Sequence, residues 1–166
     1  MRYKEEYFHC SDYLKETFKT YLDEIRSCVD EIPWQPDFKV TVKGHTYEHQ
    51  TGYNKALGLA FVARGWELQP VLKRNPRLIG DFRKHLVFVE VQFGNSASLF
   101  RDYYKFQYGL ANGLLSLAVL IVPTNPSNFF PTRPDSVSNM AEFDLAKTCL
   151  TDLPINVPTM LIGLMT

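Results

Sequence analysis

At 166 residues the chain is long enough to bury a core, and its 45 % hydrophobic and 22 % charged content excludes a disordered polypeptide. Eighteen basic side chains balance eighteen acidic ones, so net charge alone selects neither for nor against nucleic acid.

From the N-terminus, Leu14, Phe18, Tyr21, Leu22, Ile25, Val29 and Ile32 recur mostly at three- and four-residue steps, which predicts an amphipathic helix over 12–31. Pro33 and Pro36 end it. "FKVTVKG" and "HTYEHQT" read as two short strands of a hairpin that turns at Lys43-Gly44. "YNKALGLAFVARGW" predicts a second helix over 53–64, closed by Gly65. Residues 66–78 are expected to be irregular. "LIGDF" is expected to be a strand that turns through Arg83-Lys84-His85 into the strand "LVFVEVQF". A helix follows over 97–111, and then "SLAVLIV", too continuously apolar for a half-exposed strand. The loop "PTNPSNFFPTRPDS" leads to a helix expected over 136–149, and "PTMLIGLM" is the last strand. This order describes one domain, 1–166, an α/β sheet flanked by helices. There is no internal repeat, linker or low-complexity tract.

The charges are unevenly spread. Arg64, Lys73, Arg74, Arg77, Arg83 and Lys84 cluster in a segment whose acids are Glu67 and Asp81. Such a cluster suits a phosphate-rich ligand and equally suits a solvated charged loop. Cys10, Cys28 and Cys149 are widely spaced with no CxxC, which fits reduced thiols in the cytoplasm. The charged, polar N-terminus has no signal-peptide pattern. The longest mainly apolar run, 113–122, is roughly half the length of a membrane span, so no membrane association is expected.

The strand "LVFVEVQF" carries the chemistry. In alternation, Val89 and Val91 point to one face while Phe88, Glu90 and Gln92 point to the other. An unpaired carboxylate buried there would be very costly, so Glu90 must reach water, a cation or a metal. A tight turn from the preceding strand would bring Asp81 beside it. Two converging carboxylates make an oxygen-rich site suited to Mg²⁺, which takes few protein ligands. Spacing alone leaves open a structural alternative, in which Asp81 caps a turn and Glu90 pairs with an arginine on an exposed face.

The segment "DF…LVFVEVQFGN" resembles the active-site segment of the BglII group of type II restriction endonucleases. That group is a branch of the PD-(D/E)XK nucleases with Gln where most members have Lys. "GYNKALGLAFVARGW" resembles the group's helix ending in Trp, and "AVLIV" with its Asn/Phe/Pro loop resembles the next core strand and recognition loop. "DLPINVPTMLIGLM" resembles a later strand, and the segments follow in family order over about 50–165. The family's closest members continue past that strand with further β-structure. This chain is therefore expected either to wrap DNA less or to be a shortened form.

The resemblance implies a central mixed β-sheet flanked by helices, the restriction-endonuclease-like PD-(D/E)XK core. It implies Mg²⁺-dependent hydrolysis of double-stranded DNA at a specific sequence, leaving 5′-phosphates, by a homodimer without an organic cofactor. Asp81, Glu90 and the Val91 carbonyl would hold the metal, and Gln92 would orient the attacking water. Gln69 lies near a family Asn that supports the water network. Asn95, with Gly94, resembles a base-contacting position at the sheet edge, although a turn-forming Asn there fits as well. Arg133, Asp135 and Ser136 fall in the base-reading loop, where Arg133 would meet guanine and Asp135 cytosine. Asp135 equally suits a helix N-cap. Lys105 and Arg101 would meet phosphates or only solvent. Two alternatives remain, a less specific nuclease of the same fold in repair or element mobility, and a non-catalytic DNA-binding domain.

Overall fold

The computed structural model describes residues 1–133 and 137–166. Its strands are β1 (Arg2–Phe8), β2 (Lys39–Val42), β3 (His45–Glu48), β4 (Glu67–Leu68), β5 (Val71–Lys73), β6 (Leu78–Ile79), β7 (Phe82–Lys84), β8 (Val87–Val91), β9 (Leu117–Pro123) and β10 (Thr159–Met165). Its helices are α1 (Asp12–Thr17), α2 (Lys19–Glu31), α3 (Thr51–Ala63), α4 (Ser98–Ala111), α5 (Pro126–Phe129) and α6 (Phe143–Asp152).

The central sheet runs in the order β1-β10-β9-β8-β7-β4. β8, β9 and β10 are mutually parallel, and the outer pairings are antiparallel. The α/β sheet flanked by helices that the sequence pattern predicts is present, and it is mixed, as the family resemblance implies. β9 lies between two parallel neighbours and is buried along its whole length, which explains its unbroken apolar run.

Alternation along β8 divides the core in two. Val87 and Val89 face one layer, where Leu22, Ile25 and Val29 of α2 pack with Tyr53, Leu57 and Phe61 of α3. Phe88 faces the other, among Leu99, Tyr103 and Phe106 of α4 and Phe143, Ala146 and Leu150 of α6. Glu90 has the same parity as Phe88, so the strand delivers its carboxylate toward α4.

Several local expectations are corrected. The helix expected over 12–31 is two helices, because Phe18 leaves helical geometry and turns its side chain into the core. β1 was not expected. Its consecutive charges, Lys4, Glu5 and Glu6, belong to an edge strand paired with β10. Residues 66–78, expected to be irregular, contain β4 and β5. Of the helix expected over 136–149, Ser136 lies outside the described residues, Val137 is helical, and the long helix is α6, which starts at Phe143. Its late start has a cause in the preceding backbone, because Asn95 bridges Met140 and the Ala141 N–H donates to Gly94 O at 2.8 Å.

Trp34 plugs the end of this core beyond β8. Its ring stacks on Phe93 at 5.7 Å and meets Phe38, Tyr53, Phe129 and Phe130 at 5.1–5.8 Å. Trp34→Ala is expected to lower stability by about 3 kcal/mol, measured by denaturant unfolding, because truncating a ring in such a cluster leaves a cavity.

Candidate active site

The β7–β8 hairpin sets Asp81 opposite the end of β8. Phe82 pairs with Val89, and the Val91 N–H donates to Asp81 Oδ2 at 2.8 Å. Asp81 is in turn anchored by its backbone, since the Gln69 N–H donates to Asp81 O at 2.9 Å and the Gly80 N–H to Pro70 O at 3.0 Å. Gly80 has a steric reason. A Cβ there would lie 2.0 Å from the Phe88 ring and 3.1 Å from Glu90 Oε1.

Glu90 is 3 % exposed and lies deep in a cavity of about 370 Å³ lined by Gln69, Asp81, Gln92, Arg101, Asp102 and Lys105, among others. Its Oε2 accepts from Lys105 Nζ at 2.8 Å, and the same ammonium reaches Asp102 Oδ1 at 2.9 Å. Its Oε1 is buried with no hydrogen-bond partner among the described residues. Gln92 is fixed at both ends: Nε2 donates to Asp102 Oδ2 at 2.8 Å, and Oε1 accepts from the Gly94 N–H at 2.8 Å. A Cβ at Gly94 would stand 2.6 Å from that oxygen, so Gly94 supports Gln92 directly.

The charges do not cancel. Asp81, Glu90 and Asp102 face the single ammonium of Lys105, a formal excess of two negative charges, with Arg101 exposed at the rim. Burial raises the Asp81 carboxyl above its usual range, more than the Val91 N–H and Lys105 offset. Burial, then Asp81 and Asp102, push Glu90 well up in spite of Lys105. Burial opposes the Lys105 charge, but Glu90 and Asp102 outweigh it and hold the ammonium above its usual range. A buried orphan oxygen, an adjacent acid and an uncompensated charge of two fit a divalent cation. Among the described residues no group of three or more His, Cys, Asp or Glu is arranged to hold a metal ion, so a cation would rest on the Asp81–Glu90 pair with non-protein oxygens.

Asp81, Glu90, Val91, Gln92 and Gln69 thus line one cavity. Gln69 sits there in a left-handed conformation, φ 53°, exposed beside Asp81. Lys105 requires a correction. It was expected on the surface against phosphate or solvent, and it is buried in the cavity instead. Asp102, which sequence reasoning missed, is buried beside it. A polar residue at three-residue spacing from Lys105, on the helix that follows the motif, was the available signal.

The base-reading candidates lie elsewhere. Asn95 is exposed and uses its Oδ1 to accept from the Ala97 N–H at 2.8 Å, the turn-forming role. Arg133 lies over the rings of Tyr47 and Phe130 and donates to Glu48 O at 3.3 Å. Glu48, also missed, is buried and accepts from the Thr132 hydroxyl and N–H, tying the β2–β3 hairpin to this loop. Asp135 and Ser136 lie outside the described residues.

The basic cluster divides as well. Arg64 pairs with Glu31, Arg83 with Glu67, and Lys84 with Glu24, which also accepts from Trp66. Arg74 and Arg77, on the exposed loop between β5 and β6, make no salt bridge among the described residues. His85 turns the β7–β8 hairpin and packs on Tyr21. His49 contacts Thr51 at the start of α3.

Over 100 % of its length the chain is similar to the crystal structure of restriction endonuclease BglII complexed with a DNA 16-mer, covering 77 % of that chain with a TM-score of 0.79 at 17 % identity. The fold class is therefore that of a restriction endonuclease. Residues 3–164 match the family model of restriction endonuclease BglII/BglIII, and the chain belongs to that family. No curated protein sequence matches it.

The raised carboxyls set a pH dependence. A carboxyl whose folded-state pKa lies above the unfolded value contributes stability at low pH that is lost as pH rises through the folded value. The metal-free protein should therefore lose stability as pH climbs above the ordinary glutamate value of 4.5. Glu90→Gln should flatten that decline, read as melting temperature against pH.

Proposed function

We propose that the protein is a type II restriction endonuclease that cuts double-stranded DNA at a specific sequence, using Mg²⁺ and leaving 5′-phosphates. The observation that carries this reading is the buried, uncompensated Asp81–Glu90 pair at the end of β8, open to a cleft. Family membership supports the reaction, and the DNA 16-mer in the BglII structure supports the substrate.

Asp81 and Glu90, with the Val91 carbonyl, would hold the divalent ion, which when bound supplies an activated water and neutralises charge developing on the phosphoryl group. Glutamine is neither base nor cation at this pH range, so Gln92 works by orientation. Its amide keeps one N–H and one lone pair beyond those used by Asp102 and Gly94, enough to hold a water against the scissile phosphate. Gln69, beside Asp81, extends that water network. Arg74 and Arg77 track the DNA backbone, and Asn95, Gly94, Arg133, Asp135 and Ser136 serve base recognition.

A palindromic site requires two copies of the same reading surface, hence a homodimer. The exposed Leu59 and Val62 of α3, near Leu68, are suited to that contact. The enzyme acts in the cytoplasm. Among the described residues no helix is long and apolar enough to cross a membrane.

Digestion of a plasmid of known sequence with Mg²⁺ should give discrete fragments with 5′-phosphate ends. A uniform smear would favour a less specific nuclease. Asp81→Asn or Glu90→Gln should lower cleavage by about a thousandfold or more while DNA still binds in gel-shift assays. Wild-type cutting by either variant defeats the assignment. Replacing Arg74 and Arg77 by Gln should weaken binding to all sequences and reduce the slope of log affinity against log salt by about 1–2.

A further inference from the structure

α4 buries two charged side chains beside its apolar face of Leu99, Tyr103 and Phe106. It exposes Phe100 (56 %) and Tyr104 (49 %) while burying Asp102 (1 %) and Lys105 (5 %). Burying such charges is unfavourable even when they are paired, so a merely structural helix would be better served by apolar residues at these positions. Both side chains enter the cavity of Asp81 and Glu90, and each contacts a motif residue.

The connections form a chain. Asp102 uses Oδ2 to hold the Gln92 amide and Oδ1 to hold the Lys105 ammonium, 2.8 and 2.9 Å away. Lys105 then holds Glu90 by Oε2 at 2.8 Å, which leaves Oε1 as the buried oxygen without a partner. One helix turn thus fixes both polar side chains, Glu90 of β8 and Gln92 just past its end, that enter the site.

We propose that Asp102 and Lys105 are a positioning pair for this site, with Asp102 orienting Gln92 and Lys105 orienting Glu90 so that Oε1 remains for a divalent cation. This inference rests on the nuclease reading only for its catalytic consequence. Lys105 also reduces the negative charge that attracts the cation, so it sets ion affinity and side-chain geometry in opposite senses. Removing its charge strengthens ion binding and weakens catalysis. A purely structural lysine would not separate the two.

The test is Lys105→Met in the full chain, with Mg²⁺ binding to DNA-free protein measured by calorimetry and cleavage measured alongside. Mg²⁺ affinity should rise by about fivefold or more, because an opposing charge within a few ångströms is lost. The kcat should fall by about tenfold or more with KM for DNA within about twofold, since loosened orientation acts on the reacting geometry. Lys105→Arg, which keeps the charge, should return Mg²⁺ affinity toward wild type.

Unchanged Mg²⁺ affinity in Lys105→Met overturns the proposal. So does a raised KM with kcat retained, the signature of a phosphate contact. Should Lys105→Met not fold, Asp102→Asn serves, and it should shift Mg²⁺ affinity downward, opposite to the lysine variant, and lower kcat. No change in either quantity overturns the proposal. A wild-type protein that binds no Mg²⁺ also overturns it, whereas binding without cleavage overturns the nuclease reading alone.

Discussion

Three carboxylates around one ammonium, shut away from most of the solvent, are the constraint on which the rest of this structure depends. Water would screen such charges at a surface, but in a cavity each must be met by a specific group. The fold supplies those groups by position. β8 and the residue after it send in Glu90 and Gln92, the open end of the β7–β8 hairpin sets Asp81 across from them, and α4 contributes Asp102 and Lys105. The parallel β8–β9 ladder and the apolar packing of Phe88 on Phe106 keep strand and helix in register.

The glycines of the motif belong to the same problem. Gly80 lets the Phe88 ring and Glu90 close over the turn, and Gly94 lets Gln92 fold back onto the backbone. Neither has an unusual backbone angle to account for it. Each is explained by what a methyl group would strike. The site is therefore held by close approach as much as by charge, and it tolerates little displacement of the segment 80–94.

The polar interruptions in "VFVEVQF" were legible because period-two alternation predicts which residues share a face, and the two core layers follow that division at Val87, Phe88 and Val89. The convergence of Asp81 on this face was legible too, since a short hairpin leaves little freedom. β1 was hidden because charges on an edge strand resemble those of a tail. Lys105 was misplaced because helical periodicity says which residues share a face, and an Asp–Lys pair three apart looks like a solvated pair. Its burial follows only from where α4 docks. Arg64, Arg83 and Lys84 were read as one basic patch with Arg74 and Arg77, although acids from distant elements, Glu31, Glu67 and Glu24, neutralise them.

The excess of negative charge also links stability to occupancy on the proposed reading. A ligand that binds only the folded chain stabilises it by about 1.4 kcal/mol at ten times its dissociation constant. Here the ion would relieve the same repulsion that raises Asp81 and Glu90, so the site is unfavourable when empty and favourable when filled. Lys105 moderates the first condition at the expense of the second. One ammonium keeps the metal-free fold within reach of stability, while two more would complete the neutralisation and leave a cation nothing to compensate. On that reading, a single lysine against three acids would let the protein both fold without the ion and bind it.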